Sequence, residues 1–407
     1  MTSQPTVAVV HFPSPGHIRP MLPLAEALAR QDLRVVQWAP AEWERQCLAA
    51  GGEFRALPEL DDLAWPAPAP ARIAQFLAGL AERLAPWMSE QLADAGADAV
   101  LRDSFAQYGR YAALATGTED FVVPAMMAFH GGMWPRPRGL RAFAEDIRYA
   151  RRLGASSRRL ARSYGKPLGR PLEVFAGRHG STTFVLTVPS LQLEPQRLDG
   201  EDIRYLGPIR GLGPVEAAEE PALAGAGEAQ VVYVSLGTVF EERPAFFRDA
   251  ASALAAPGRR MILSVGRLDP QELGALPEGV SAHAHVDQLA VLRRADLFVT
   301  HAGFNGVQEG LAAGVPLLMC PITFEQELNA QIVAERGAGL ICADSSARSV
   351  AEGARLLLDD PSYRAAAQRL ARELRAGSRL DEGVELVAQA ARAHAGARTA
   401  GGASPTE

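Results

Sequence analysis

At 407 residues the chain is too long for one ordinary hydrophobic core, and roughly 100–200 residues per domain predicts two domains. A composition of 48% hydrophobic and 22% charged residues is that of a soluble globular protein and excludes a disordered or fibrous chain. The net charge of −6 argues against a general nucleic-acid binder.

No apolar run approaches the roughly 18 residues of a spanning helix. Met1-Thr2-Ser3-Gln4-Pro5 lacks the basic region of a secretory signal, so none is expected. Cys47, Cys320 and Cys342 are odd in number and share no ligand spacing. Neither a disulfide framework nor a zinc site is therefore expected, and a cytoplasmic location fits. Lys166 is the single lysine among 41 basic residues, which with the wealth of Ala and Gly points to GC-rich bacterial coding.

In chain order, Val7–Phe12 reads as a buried strand, followed by a Pro/Gly loop and a helix with Leu22, Ala25, Leu28 and Ala29 on one face. A strand over Val35–Ala39 and a helix from Ala41 come next. After the Pro-rich loop Pro66-Ala67-Pro68-Ala69-Pro70 the pattern resumes with a strand over Ala97–Leu101. Such alternation predicts a parallel sheet covered by helices. A second βα stretch begins near Gln230, with strands over Val231–Ser235, Met261–Val265, Ser281–Val286, Leu297–His301, Val315–Cys320 and Gly339–Ala343. The predicted organisation is an N-terminal domain over 1–206, a linker over 207–229 and a C-terminal domain over 230–394. A disordered tail of small and polar residues is expected over 395–407. The fold class is α/β, with two doubly wound domains. Their ligands are expected beyond the C-terminal ends of the strands.

In the first half, His17 follows the first strand at a helix start, in Gly16-His17-Ile18-Arg19-Pro20, with Pro20 read as first-turn. A histidine at a sheet's C-terminal edge is placed to act as a general base. Asp103, just past another strand of that sheet, is the expected partner for its imidazolium. Alone, each reads better as a helix cap. His11, inside the strand, reads as a packed core residue. All five tryptophans lie in the first third, and Trp65 and Trp134 are the candidates for an apolar acceptor pocket, the others reading as core or rim. Arg136 to Arg170 carries eleven cations against Glu145 and Asp146. That run reads either as a solvated helical face or as a surface for an anionic partner.

In the second half, Val299-Thr300-His301-Ala302-Gly303-Phe304-Asn305-Gly306-Val307-Gln308-Glu309 follows a strand and opens a helix. Small residues at 302, 303 and 306 admit a ligand to the backbone, and the helix N-terminus suits a diphosphate. His301 can add a hydrogen bond, and Glu309 can accept from ribose hydroxyls. Glu325-Gln326, after the next strand, can grip vicinal sugar hydroxyls or simply begin a helix.

Together, Gln288, His301, Gly303, Asn305, Glu309, Gly314-Val315-Pro316, Glu325-Gln326 and Asn329-Ala330 resemble the donor-binding signature of the family 1 nucleotide-sugar glycosyltransferases, the UDP-glycosyltransferase-like enzymes. Gly16-His17-x-x-Pro20 and Asp103, 86 residues later, are similar to that family's base and its partner. The resemblance implies the GT-B fold, two facing Rossmann-like domains with an active-site cleft between them. It also implies that Val286 and Gln288 border the base, and that Ser235, Gly237, Thr238, His301, Asn305 and Gly306 surround the diphosphate. Glu309 would hold the ribose, and Glu325 and Gln326 the sugar. Asp287, where many members have Pro, and Gly306, where plant members have Ser, depart from the pattern.

The implied activity is inverting transfer of a sugar from a UDP-hexose, or a dTDP-deoxysugar, to a hydroxyl of a macrolide or phenolic natural product. No metal cofactor is implied, and the chain has no Asp-x-Asp. The expected partners are the nucleotide sugar and the acceptor, without nucleic acid or membrane insertion. A sugar-nucleotide epimerase on the same fold and a non-catalytic auxiliary partner of a transferase are the alternatives.

Overall fold

The computed structural model describes the chain except residues 1–3, 61–69, 135–139, 209–219, 238–243 and 402–407, and except the side chains of 140–146 and 400–401. It divides into two compact units, Met1–Arg210 with Ser378–Glu407, and Gly211–Gly377.

The first unit is built on seven parallel strands, β1 (Thr6–Val10), β2 (Arg34–Ala39), β3 (Glu53–Ala56), β4 (Ala99–Asp103), β5 (Glu119–Val123), β6 (Thr182–Val185) and β7 (Ile203–Tyr205). Their order is β3-β2-β1-β4-β5-β6-β7, so the direction of winding reverses between β1 and β4. The central strands β1 and β4 are buried along their whole length, β1 through an apolar run after Thr6 and β4 through Ala99–Leu101 followed by the buried, paired Arg102 and Asp103. Between them run α1 (Pro15–Ala29), α2 (Glu44–Ala49), α3 (Pro70–Ala95), α4 (Gln107–Thr116), α5 (Leu140–Tyr164) and α6 (Pro171–Ala176). Helix α1 starts at Pro15, so Pro20 and Pro23 lie inside it rather than in its first turn. Each removes one i→i−4 donor there.

The second unit is a six-stranded parallel sheet of β8 (Gln230–Ser235), β9 (Arg259–Ser264), β10 (Val280–His283), β11 (Leu297–Thr300), β12 (Leu317–Met319) and β13 (Gly339–Ile341). Its order, β10-β9-β8-β11-β12-β13, reverses between β8 and β11. The helices are α7 (Pro244–Leu254), α8 (Gln288–Arg294), α9 (Phe304–Ala312), α10 (Phe324–Glu335), α11 (Ala347–Asp359) and α12 (Pro361–Ala376).

The final helix, α13 (Leu380–Gly401), differs from the sequence-order domain assignment. It belongs to the first unit, not to a domain ending at 394, and it extends past 395, where the tail was expected to begin. The physical reason is its apolar stripe. Val384, Val387, Ala388 and Ala391 recur at helical spacing and pack into the core formed by Val7, Val9, Leu24 and Leu101. A buried carboxylate fixes the far end of the helix: Asp98 accepts from His394 Nδ1 at 3.0 Å and from Arg398 Nη2 at 3.2 Å, and also from the Thr6 amide at 3.0 Å.

The described ends of the 207–229 segment, 207–208 and 220–229, also differ from a free linker, its middle lying outside the described residues. Gly207 donates to the Thr187 carbonyl at 3.1 Å within the first unit. In the second unit, Arg260 donates to the Ala222 carbonyl at 3.2 Å and Arg294 to that of Gly227 at 2.6 Å, with Ala222 and Ala226 buried.

Val387→Asp would bury an unpaired carboxylate in this core and should lower unfolding stability by at least about 3 kcal/mol. Arg392→Ala, on the outer side of the same helix, should change it by less than about 0.5 kcal/mol. Thermal unfolding of the two variants beside the parent checks both values.

Candidate active site

The first unit places a histidine–carboxylate pair at its winding reversal. β1 and β4 are hydrogen-bonded neighbours, in register from Val7↔Ala99 to Val10↔Arg102. The chain leaving β1 turns into α1 with Ser14 as N-cap, which brings His17 into the first helical turn. Asp103 is the last residue of β4. His17 Nδ1 lies 2.9 Å from Asp103 Oδ2, while Asp103 Oδ1 accepts from the Phe105 amide at 2.7 Å. The carboxylate is buried, whereas the His17 side chain keeps 16% of its surface exposed. With Nδ1–H donated to the carboxylate, the imidazole lone pair lies on Nε2.

Aromatic rings enclose the pair. Phe12 and Phe105 lie 5.0 Å and 4.8 Å from the His17 ring. Phe105 contacts Phe175 at 5.5 Å, and Phe175 contacts Phe129 at 4.8 Å. Trp134 stands edge-on to both Phe129 and Phe175 at 6.2 Å. A continuous chain of ring contacts therefore runs from the base candidate to Trp134, through phenylalanines that are themselves buried, while Trp134 is half-buried. The phenylalanines were not singled out in the sequence, because a lone Phe beside a strand looks like core. The nearest signal is Phe105, two residues after Asp103. Trp38 and Trp43 are buried, Trp87 is half-buried and Trp65 lies outside the described residues.

His11 is fully enclosed and bonded to Gln37 Oε1 at 3.2 Å, and burial lowers its pKa to about 4. It is a neutral core histidine. The described arginines of α5, including Arg148, Arg151, Arg152 and Arg158, are exposed, while Leu153, Ser156 and Leu160 form its buried stripe. Arg159 pairs with Glu82 of α3 at 2.9 Å. Within α5 the described basic residues thus form the outer face of an amphipathic helix, and Lys166 and Arg170 follow its end, both exposed. Arg136 and Arg138 lie outside the described residues.

The second unit repeats the topology at β8 and β11. Ser235 ends β8, and Gly237 adopts φ +78° two residues on. A Cβ on Gly237 would come within 2.7 Å of the His301 ring, and one on Gly303 within 2.5 Å, so both glycines are required by the close approach of that ring. Burial lowers the His301 pKa to about 4, partly opposed by a hydrogen bond with the Ser235 backbone. The ring is therefore neutral at pH 7 and can offer an N–H but no formal charge.

Ala302 next to it sits at φ +62°, a left-handed conformation costing roughly 1–2 kcal/mol without glycine. Asn329, fully buried on α10, donates to the Ala302 carbonyl at 3.0 Å and to Glu325 Oε1 at 3.1 Å. Asn329 thus ties α10 to the 302 turn, a role the sequence motif did not disclose. Gly303 caps α9, whose first amides, at Phe304, Asn305 and Gly306, point out of the helix end.

Glu309 on α9 accepts from Gln288 Nε2, and Tyr233 donates to Gln288 Oε1 at 3.0 Å while stacking on Phe298. Val286 precedes this group and is half-buried. Gln326 Oε1 accepts from the Ile322 and Thr323 amides at 2.8 Å and 3.2 Å, closing a capping box with Thr323. Its oxygen is committed to the cap, which leaves its NH₂ as the group suited to a sugar. Thr238 lies outside the described residues.

The UDP-glucoronosyl and UDP-glucosyl transferase family model matches residues 208–398. An oleandomycin glycosyltransferase of Streptomyces antibioticus is 30% identical over 400 residues, 92% of this chain and 89% of the relative. The chain belongs to this glycosyltransferase family. Among solved structures, the glycotransferase of kitacinnamycin matches this transferase with TM-score 0.80 and 25% identity, over 96% of this chain and 100% of that one. A spinosyn rhamnosyltransferase complexed with thymidine diphosphate shares the fold, with TM-score 0.71 and 21% identity over 93% of this chain and 100% of that one. Two parallel-sheet α/β domains are the GT-B architecture, and the transferase uses nucleotide sugars as its family does.

The two departures from the family pattern have local explanations. The Asp287 amide donates to Glu220 Oε2 at 2.8 Å, a bond proline cannot make, and its side chain caps α8 through the Ala290 amide at 3.1 Å. A Cβ on Gly306 would meet nothing closer than 3.8 Å, so packing does not demand glycine there.

The neutral histidines make the transferase acid-sensitive. Between pH 6.5 and 4 the unfolded chain binds protons that folded His11 refuses. Stability is therefore fully present above pH 6.5 and falls as pH drops towards 4. For His11 the loss amounts to about 3 kcal/mol. Calorimetric melting from pH 7.5 to 4.5 should show this decline, and His11→Asn should make it shallower.

Proposed function

We propose that the chain is an inverting glycosyltransferase that moves a hexose from a UDP-sugar, or a deoxysugar from a dTDP-sugar, to a hydroxyl of a hydrophobic natural product. The observation that carries this reading is the 2.9 Å His17–Asp103 contact at the end of β1 and β4. Asp103 holds the tautomer with its lone pair on Nε2 and stabilises the imidazolium that forms when Nε2 takes the acceptor's proton. The acceptor oxygen then attacks the anomeric carbon from the face opposite the nucleotide, which inverts the configuration.

The half-buried Trp134, held edge-on by the buried Phe129 and Phe175, offers an apolar face that suits a flat or greasy acceptor, such as a macrolide or an aromatic polyketide. The oleandomycin relative supports that acceptor class. The α9 N-terminus and His301 meet the charge developing on the departing diphosphate. Glu309 takes the ribose, and Glu325 with the Gln326 NH₂ takes the sugar. On this reading no metal is needed, because the helix end and the neutral N–H groups do the neutralising.

Mass-spectrometric screening of UDP- and dTDP-sugars against macrolide and phenolic acceptors tests the assignment. His17→Ala should lower kcat by about 10²–10⁴-fold while nucleotide affinity stays within about twofold. Retained turnover in that variant would remove His17 as the base. Glu309→Ala should instead raise the donor KM, and EDTA should leave the rate unchanged. The anomeric configuration of the product, read by NMR coupling, should be opposite to that of the donor.

A further inference from the structure

Two cysteines that lie 22 residues apart in sequence meet at the C-terminal edge of the second sheet. β12 and β13 pair in parallel through Leu317↔Gly339, Leu318↔Leu340 and Met319↔Ile341. One step further along the same register stand Cys320 and Cys342, and the Cys342 amide donates to the Met319 carbonyl at 2.8 Å, which continues the ladder. Adjacent strands lie roughly 4.7–4.9 Å apart, inside the Cα separation that a disulfide accepts. The two sulfurs are 3.3 Å apart, both as thiols. Cys320 is buried and Cys342 is partly exposed, so one sulfur is reachable from solvent and the other stands directly behind it. The hydrogen bond from Cys320 lowers the Cys342 pKa, which favours the exposed sulfur as thiolate. Cys47, fully enclosed and raised to about 11 by burial, has none of these properties.

We propose that Cys342 and Cys320 form a reversible dithiol–disulfide site that reacts with low-molecular-weight disulfides and, once oxidised, weakens donor binding. The Cys342 thiolate attacks one sulfur of R–S–S–R, breaking that bond and releasing one R–SH after protonation. Cys320 gives its proton to solvent and attacks the Cys342 sulfur of the mixed disulfide, releasing the second R–SH. Two protein thiols are oxidised to one disulfide, and one small disulfide is reduced to two thiols.

The effect on the donor follows from position and rests on the donor-site reading above. Cys320 donates its amide to the Thr300 carbonyl at 2.8 Å, next to His301, and directly precedes the loop 321–323 that leads to Glu325. Drawing the sulfurs from 3.3 Å to a bond of roughly 2 Å fixes the Cys320 side chain at the root of that loop and restricts the adjustment open to the loop when the donor binds.

The full chain should be incubated with oxidised glutathione, its remaining thiols alkylated, and its peptides mapped by mass spectrometry. The expected product is a Cys320–Cys342 cross-link, with Cys47 alkylated only after denaturation. Cys320→Ser should stop at a stable glutathione adduct on Cys342, and Cys342→Ser should form neither product. The oxidised chain should show a donor KM raised at least threefold, restored by dithiothreitol, and Cys342→Ser should keep the parent KM with or without oxidant. A parent chain that stays reduced, an adduct on Cys320 instead of Cys342, or a cross-linked chain with unchanged donor KM would overturn the proposal. If the cross-link forms but Glu325→Ala also leaves the donor KM unchanged, the donor-site reading fails instead, because the covalent readout does not depend on it.

Discussion

Both candidate sites depend on one topological constraint, the reversal of winding order within a parallel sheet. Chain leaving β1 returns through α1 to β2 on one side, and chain leaving β4 returns to β5 on the other. The two connections diverge, so the carboxyl ends of β1 and β4 are left facing a crevice that neither connection covers. Any side chain on the first turn after β1 then faces any side chain at the end of β4. That brings His17 to 2.9 Å from Asp103 across 86 residues of sequence. The second sheet does the same between β8 and β11, where Gly237 and His301 meet.

The two crevices are furnished with opposite electrostatics. At β1/β4 a buried carboxylate backs an imidazole, an arrangement that favours a positive charge appearing on the ring. At β8/β11 the nearest histidine is kept neutral by burial, and the positive character comes from the α9 amides. A diphosphate met by dipoles and N–H groups can leave without first breaking a strong ion pair, while the electrostatic gain in a dry site remains large. The geometry that allows this is strained. Ala302 holds a left-handed backbone, and the Asn329 amide spans from its carbonyl to Glu325, so the 302 turn and helix α10 are positioned by one buried side chain. Strain of this size persists only where surrounding bonds over-determine it.

What was legible in the sequence follows from range. The strands, continuous apolar runs with turn residues at each end, were readable because burial on both faces imposes a local signature. The His17–Asp103 pair and the donor motif were readable only as a resemblance, since nothing local says which strand ends will be neighbours. The aromatic cluster was not readable from tryptophans. Phe105 comes from the turn after β4, Phe129 and Phe175 come from the two ends of the long β5–β6 connection, and they converge only in the folded unit. Gln326 carried a double reading, and its oxygen went to the capping box because Ile322 and Thr323 amides at a helix start need an acceptor. Cys320 and Cys342 showed no spacing because parallel register, not sequence, brings them together.

The placement of α13 was hidden for the same reason, and it changes what a domain means in this chain. Sequence order assigns the helix to the unit that precedes it, but its stripe of Val384, Val387, Ala388 and Ala391 completes the core under β1 and β4. Asp98 adds a specific anchor. Its buried carboxylate has three partners, two of them on α13, so the helix that shields this charge from water also supplies the donors that pair it. The strands that position His17 and Asp103 are thus covered by residues made last. A fragment ending at 206 holds both His17 and Asp103 but leaves one face of its own sheet open to water. The first unit therefore reaches its native core only after the second has been synthesised, which couples the formation of the His17–Asp103 site to the completion of the whole chain.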